Sequence, residues 1–440
     1  PPLAGEGRSV ITPAARLSAA VEVLADILDR RRPAPDALKD WGLGHRFAGS
    51  GDRAAIGNLL YDALRRKRSL AAQMDADTPR AIVLAAAPHA LGLAPAAVTA
   101  SADGSPHAIE PLSQAEQAGL IRELPQGALA SLRGDFPDWL EASFERAFGA
   151  AAADEGAALA SRAPVDLRVN GLKADRDKVM RALARFAPIA SPYSPVGIRL
   201  PAPDGPGRQP NVEAEAGHAK GWYEVQDEGS QVAALMAAAT PRKQVLDLCA
   251  GAGGKALAFA ATMRNTGQVY AYDDDPHRLR PIFERLKRAG ARNVQTLPAG
   301  DTAALTALGP RFDVVFIDAP CTGTGAWRRR PDAKWRLKLA SLAQRIEEQH
   351  ALLELAAPLV KPGGQLVYVT CSVLPEENGD QLARFAASHP EYATSPWRDS
   401  WAAGLGGEPP SSACGDAALL LTPARHGTDG FFIAVLNRAA

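Results

Sequence analysis

The chain has 440 residues, 46% of them hydrophobic and 22% charged, with 49 basic residues against 49 acidic ones. That length exceeds one ordinary core, so two or three domains are expected in a chain of ordinary soluble composition. A net charge of zero excludes a global cationic field and leaves any nucleic-acid partner to local patches.

Cys249, Cys321, Cys371 and Cys414 form no C-x-x-C pair, so neither a zinc knuckle nor a disulfide framework is signalled, and no metal is expected. Four reduced thiols fit a cytoplasmic protein. The opening PPLAGEGRSV is loop-like, carries no signal-peptide pattern and lacks Met, which points to a trimmed chain. Residues 81–100 are nearly uncharged, but Pro88 and Pro95 interrupt them, which argues against a membrane span.

Residues 13–29 set Leu17, Val21, Leu24 and Leu28 on one helical face, with Pro13 suited to a helix start. A second helix is expected over 51–68, and more near 79–87, 112–123 and 137–148. No strand pattern precedes residue 164, so 1–150 is predicted to be an all-α domain. The run Arg65-Arg66-Lys67-Arg68 at a helix end either complements the helix dipole or contacts RNA. From 164, VDLRVNGL reads as a strand and 175–186 as a helix. A loop rich in proline follows, with Pro192, Pro195, Pro201, Pro203, Pro206 and Pro210 within 191–220. This predicts a small α+β connecting module over 151–221.

Beyond 222 the pattern becomes βα alternation. Strands are expected at 244–249, 268–273, 293–298, 313–318 and 365–370, the last after a helix over 341–360 that stops at Lys361-Pro362-Gly363-Gly364. ALLLTP and GFFIAVL would close the sheet as an antiparallel hairpin. The expected fold of 222–440 is thus an α/β, doubly wound, mostly parallel sheet of Rossmann-like type.

In such a sheet, chemistry sits outside the carboxyl ends of the strands. DVVFIDAPC ends in Asp318 and Cys321, and QLVYVTCS ends near Cys371, so two thiols are expected over one edge. CAGAGGK, residues Cys249, Ala250, Gly251, Ala252, Gly253, Gly254 and Lys255, sits where the first of these strands turns into its helix. It is not a P-loop, but it fits G-x-G-x-x-A, and Asp273 follows about 20 residues on, as a ribose-binding acid should. The loop by itself leaves a dinucleotide and S-adenosylmethionine both open. A hydride transferase has no use for two thiols at the active edge. Methylation of carbon 5 of cytosine does, because that carbon becomes nucleophilic only after a thiolate adds to carbon 6.

WYEVQDEGSQ, CAGAGGK, DAPCTGTG at 318–325, TCSVLPEEN at 370–378 and the terminal TDGFF resemble, in order, motifs of the Sun/Fmu-type (RsmB-like) RNA (cytosine-5)-methyltransferases. The resemblance covers roughly 160–440, and the first third more loosely resembles the NusB-like helical domain of bacterial members that act on small-subunit rRNA. The family loop usually reads C-A-A-P-G-G-K, whereas Gly251 and Ala252 stand in its middle here. The resemblance implies that residues 249–255, Asp273, Asp301 and Asp318 hold S-adenosylmethionine. It also implies that Cys371 attacks carbon 6 and that Cys321 assists release, with Cys321 as nucleophile the alternative. Asp318 is then a candidate to stabilise the protonated ring nitrogen. A non-catalytic rRNA assembly factor on a methyltransferase scaffold is the competing class.

RRRPDAKWRLK at 328–338 holds six basic residues against one acid, with Trp335 interleaved. Arg328, Arg329, Arg330, Lys334 and Trp335 are therefore candidate RNA contacts, as is Arg168 in RVNGL. The target cytosine must be unpaired or flipped. A monomer without membrane contact is expected.

Overall fold

Apolar residues at helical spacing fold the first third into helices whose faces meet in one core, with Leu17, Leu24, Ile56, Leu60, Leu64 and Ile82 at its centre. The computed structural model describes residues 12–203, 207 and 209–440; the opening stretch 1–11 and Pro206 lie outside the described residues. The first helix, Pro13–Arg30, is capped by Thr12, whose hydroxyl accepts from the Ala15 amide. The helix expected over 51–68 is two, Ser50–Arg65 and Lys67–Met74, which break at Arg66. The next helix runs through Pro88 to Leu91, because Ala85, Ala86, Ala87 and Ala90 are all buried, and Gly92 at φ 67° ends it. Phe136, Leu140, Phe144 and Phe148 join a different core, that of the α/β sheet, so the change of core falls before residue 136 rather than at 150.

A four-stranded antiparallel sheet follows, in the order β2-β3-β1-β4, with β1 at Val165–Val169, β2 at Ile189–Ala190, β3 at Gly197–Leu200 and β4 at Tyr223–Val225. Its last strand leads through helix Glu228–Met236 into the larger sheet. There β5 (Gln244–Asp247), β6 (Gln268–Ala271), β7 (Val294–Thr296), β8 (Phe312–Asp318) and β9 (Val360–Thr370) are parallel. β10 (Tyr392–Ser395), β11 (Leu419–Leu421) and β12 (Phe431–Arg438) complete the sheet, with β12 antiparallel to β9, β10 and β11. The order is β10-β12-β9-β8-β5-β6-β7, with β11 paired to β12 beside this path. Central strands are apolar on both faces, as in Val314, Val315, Phe316 and Ile317, because helices cover both sides. The helix expected over 341–360 ends at Ala356, where Pro358 cannot donate, and the Lys361–Gly364 stretch lies inside β9. A register shift between Phe312 and Val314 accommodates it. Among the described residues, no helix is long and apolar enough to cross a membrane.

The basic run 328–338 joins the helical region to the sheet. Helix Ser50–Arg65 ends in carbonyls that lack partners within the helix. Trp335 Nε1 donates to Leu64 O at 2.6 Å and Lys334 Nζ to Arg65 O at 2.8 Å. Arg65 returns two bonds to Arg328 O, at 3.1 and 3.0 Å. Arg328, 4% exposed, donates to Asp429 Oδ1 at 2.9 Å, and Arg329 spans Asp227 at 2.9 Å and Asp429 at 2.6 Å. Burial pushes the Lys334 pKa down to about 7, against the pull of Asp135.

The expectation that Arg328, Arg329, Lys334 and Trp335 form an RNA surface is therefore corrected. Asp227 and Asp429, distant in sequence, and the end of a helix engage them. Arg330 and Lys338 remain exposed. In the earlier basic run, Lys67 pairs with Asp77 and Arg68 with Asp138.

Arg328→Ala leaves the buried carboxylates of Asp429 and Asp227 to share Arg329. It should lower the unfolding free energy by roughly 3 kcal/mol in chemical denaturation. A loss below about 1 kcal/mol, the range of exposed pairs, would return Arg328 to the solvated surface.

Candidate active site

Strand order reverses at β5: the chain leaves it once toward β6 and β7 and later returns on its other side as β8 and β9. Helices then diverge from the carboxyl ends of β5 and β8, and the crevice between them is the place for a ligand. Three loops meet there, after β5, β8 and β9.

The loop after β5 turns through Gly251 at φ 50° and Gly253 at φ 83°. A side chain at Gly253 would run into Ile282, so only glycine fits there. The Gly251 amide donates to Asp273 Oδ2 at 2.8 Å and the Asp275 amide to Oδ1 at 3.1 Å. Asp273 is buried at the end of β6, and burial raises its pKa despite those bonds. Asp301 is exposed and caps the short helix Thr302–Thr306 by accepting from the Ala304 amide at 2.9 Å. Cys249 is packed under the loop, and burial, then Asp247, pushes its thiol pKa well up.

Lys255 Nζ is ion-paired to Asp318 Oδ2 at the end of β8. Burial opposes its charge, but Asp318, Asp247 and Cys371 outweigh burial and hold the ammonium pKa above its ordinary value. Asp247, which ends β5, is fully buried, and neither carboxylate oxygen has a hydrogen-bond partner among the described residues. Burial raises its pKa from 3.8 to about 7. A buried acid whose oxygens lack hydrogen bonds, beside a glycine loop, fits a cationic ligand such as the sulfonium and ammonium of S-adenosylmethionine.

Cys321 Sγ and Cys371 Sγ lie 3.3 Å apart. The loops that carry them are laced together. The Gly325 amide donates to Cys371 O at 3.0 Å, the Val373 amide to Thr324 Oγ1 at 2.9 Å, and the Gly430 amide to Gly325 O at 2.9 Å. Gly325 and Gly430 are in backbone contact, and a Cβ at Gly430 would stand 2.6 Å from the Gly325 Cα. Glu377, fully buried, accepts from the Thr322 amide at 2.8 Å, from the Thr322 hydroxyl, and from Gln349 Nε2 at 3.0 Å. Its pKa is raised by burial. The Cys321 thiol pKa is pushed well up, first by the adjoining thiol of Cys371, then by burial and Glu377.

Sequence reasoning singled out the glycine loop, Asp318 and both thiols, and the fold brings them to one crevice. It missed Asp247, Glu377, Gln349 and Thr322. Asp247 was signalled only by an acid interrupting an apolar strand, and Glu377 only by its place in TCSVLPEEN. Arg168 is corrected as an RNA contact: it is buried in β1, its Nε donates to Gln226 Oε1 at 2.6 Å, and burial lowers its pKa to about 10. Asn170 is likewise internal, donating to Gly221 O at 2.9 Å and Ala289 O at 2.8 Å.

Residues 234–437 match the family described as 16S rRNA methyltransferase RsmB/F, and 136–205 match the ferredoxin-like domain of RsmF/B-like methyltransferases. A protein of Synechocystis, named a probable ribosomal RNA small subunit methyltransferase B, is 35% identical over 312 residues, 69% of this chain and 67% of that one. The chain belongs to the RsmB/F methyltransferase family. In shape, this RsmB/F member superposes on the crystal structure of PH0851 with a TM-score of 0.73 and 24% identity, over 98% of this chain and 100% of that one. It superposes on NSun6 from Pyrococcus horikoshii, solved with SFG, with a TM-score of 0.61 and 22% identity, over 69% and 99%. Both likenesses support the Rossmann-like methyltransferase fold.

Two predictions follow from the buried acids of this RsmB/F chain. Between pH 3.8 and about 7, folded Asp247 holds a proton that the unfolded chain has lost. Its contribution to stability is therefore full below that window and lost as pH rises through it. Asp247→Asn, which does not titrate, should stabilise the ligand-free protein over wild type by a margin that grows to a few kcal/mol from pH 4 to 7 and is flat above. Melting curves across pH would show this, and a constant margin would refute it. Glu377→Ala should release the Cys321 loop, seen as at least tenfold faster amide exchange at Thr322; unchanged exchange would show that Gln349 and the other loop bonds suffice.

Proposed function

We propose that this protein transfers a methyl group from S-adenosylmethionine to carbon 5 of an unpaired cytosine in small-subunit rRNA. The observation that carries the reading is the contact of Cys321 and Cys371 beside the Lys255–Asp318 pair, at the point where strand order reverses. The name of the Synechocystis relative, a probable ribosomal RNA small subunit methyltransferase B, supports rRNA as the substrate, and the SFG complex of the NSun6 neighbour supports a cofactor in this crevice.

S-adenosylmethionine, when bound, supplies an electrophilic methyl group on a sulfonium. Residues 249–255 and Asp273 would hold it, with Asp247 facing its cationic portion. The other groups act on the base. The cytosine has to leave its stack to bring carbon 6 to a thiol. The Lys255 ammonium, held charged by Asp318, Asp247 and Cys371, stands in the same crevice as the nucleophilic sulfur. The Cys371 thiolate adds to carbon 6 while Asp318 hydrogen-bonds the protonated ring nitrogen, and electron density rises at carbon 5. After methylation a base takes the carbon 5 proton and the Cys371 sulfur is expelled. Cys321, whose thiol stays protonated, stands 3.3 Å from the leaving sulfur and assists its departure.

Cys371→Ala should abolish methylation, read by bisulfite mapping of rRNA after reaction with the purified protein. Cys321→Ala should accumulate a methylated RNA–protein conjugate that survives SDS gel electrophoresis, and adding Cys371→Ala should remove it. The opposite pattern, a conjugate only from Cys371→Ala, would make Cys321 the nucleophile.

A further inference from the structure

The glycine loop has little rigidity of its own. In CAGAGGK, Gly251 and Gly253 take positive φ, and Ala252 between them carries no ring to fix its backbone. Yet the peptide between Ala252 and Gly253 is held at both ends. Its N–H, from Gly253, donates to Ala250 O at 2.8 Å. Its carbonyl, Ala252 O, accepts from Arg285 Nη1 at 2.8 Å.

Arg285 belongs to helix Ile282–Ala289, and its direction is set from outside the large sheet. Glu224, in β4 of the small sheet, accepts from Arg285 Nε at 3.2 Å and Nη2 at 2.9 Å, both on Oε2. That two-point grip fixes the plane of the guanidinium and leaves Nη1 pointing at the loop. Glu224 is 3% exposed, and although burial opposes its charge, Arg288 and Arg285 hold its pKa below the ordinary carboxylate value. Arg288 Nη2 donates to both Glu224 oxygens at 2.7 Å, but the bonds it makes go to Glu224 and not to the loop. Arg168, opposite Glu224 in the β1–β4 register, adds a longer bond of 3.4 Å to Gly254 O.

We infer that Arg285 is a positioning residue for the cofactor loop, oriented by Glu224, so that the small sheet sets the affinity of the site for an adenosyl sulfur ligand. The inference rests on the reading of 249–255 as the cofactor loop. The guanidinium touches no reacting atom; it acts by fixing the 252–253 peptide, and the loss of a bond to a charged donor is the quantity at stake.

The test is calorimetric titration of the full chain with S-adenosylhomocysteine. Arg285→Met should raise the dissociation constant about tenfold, within the range for a lost charge-assisted hydrogen bond. Arg285→Lys keeps a charge for Glu224 but lacks the fork that reaches Ala252 as well, so it should bind as weakly as Arg285→Met and serves if the latter does not fold. Arg288→Met removes an equal bond from Glu224 without touching the loop and should bind as wild type does. Amides 251–254 should exchange faster in Arg285→Met than in Arg288→Met. In turnover, KM for S-adenosylmethionine should rise with kcat at saturation unchanged. Equal affinity in the Arg285 and Arg288 variants, whether both weak or both intact, would overturn the inference. If the wild type itself binds no S-adenosylhomocysteine, the reading of the loop fails, which is a separate result.

Discussion

β5 is the strand on which the site depends, because its neighbours on either side are β6 and β8, reached by crossovers in opposite directions. A right-handed crossover puts the following helix on one face, so reversing direction at β5 opens a gap at its carboxyl end. Into that gap the chain delivers a glycine turn, an acid at the end of each of β5 and β8, and a thiol from each of the next two loops. No special feature is needed to bring Cys321 and Cys371 together: β8 and β9 are parallel and adjacent, so residues just past their ends are neighbours in space. The cross-loop hydrogen bonds then refine that proximity to 3.3 Å.

Buried charges help to connect the helical region, the small sheet and the large sheet. Asp429 and Asp227 draw in Arg328 and Arg329, and Glu224 draws in Arg285 and Arg288. Such pairs are costly to desolvate and contribute little net stability, but each fixes an orientation, since a guanidinium and a carboxylate meet well in few geometries. The acids at these joints also bear on the site: Asp429 lies next to Gly430, which packs on the Cys321 loop, and Glu224 steers a residue that touches the glycine loop.

The parts of the site that were legible in the sequence are those carried by local pattern. An apolar run ending in a polar tip marks a strand end, and glycines after it mark a turn, so Asp318, Cys321, Cys371 and residues 249–255 could be placed at one edge before any coordinates. What could not be read was pairing at long range. Arg328, Arg329 and Lys334 look like an exposed cationic stretch because their partners, Asp429, Asp227 and the carbonyl of Arg65, lie about 100 to 270 positions away. Arg168 misled for the same reason. Helix ends were misplaced where burial overrode a local signal, as at Pro88, or where a strand absorbed a terminator, as at Lys361–Gly364. Asp247 was hidden because a strand with one acid reads as an ordinary strand; what sets it apart is that, among the described residues, its buried oxygens lack hydrogen bonds within normal geometry.

The contact between Gly325 and Gly430 has a consequence for how this sequence can vary over time. Each backbone occupies the space a Cβ would need at the other, and Val373 closes the remaining side of Gly430. Any first substitution, at either position, must push apart the loop of Cys321 and the start of β12. A compensating second change cannot help, because neither residue has a side chain left to shrink. A side chain at either glycine therefore reaches the thiols through the backbone, by displacing the loop that carries Cys321.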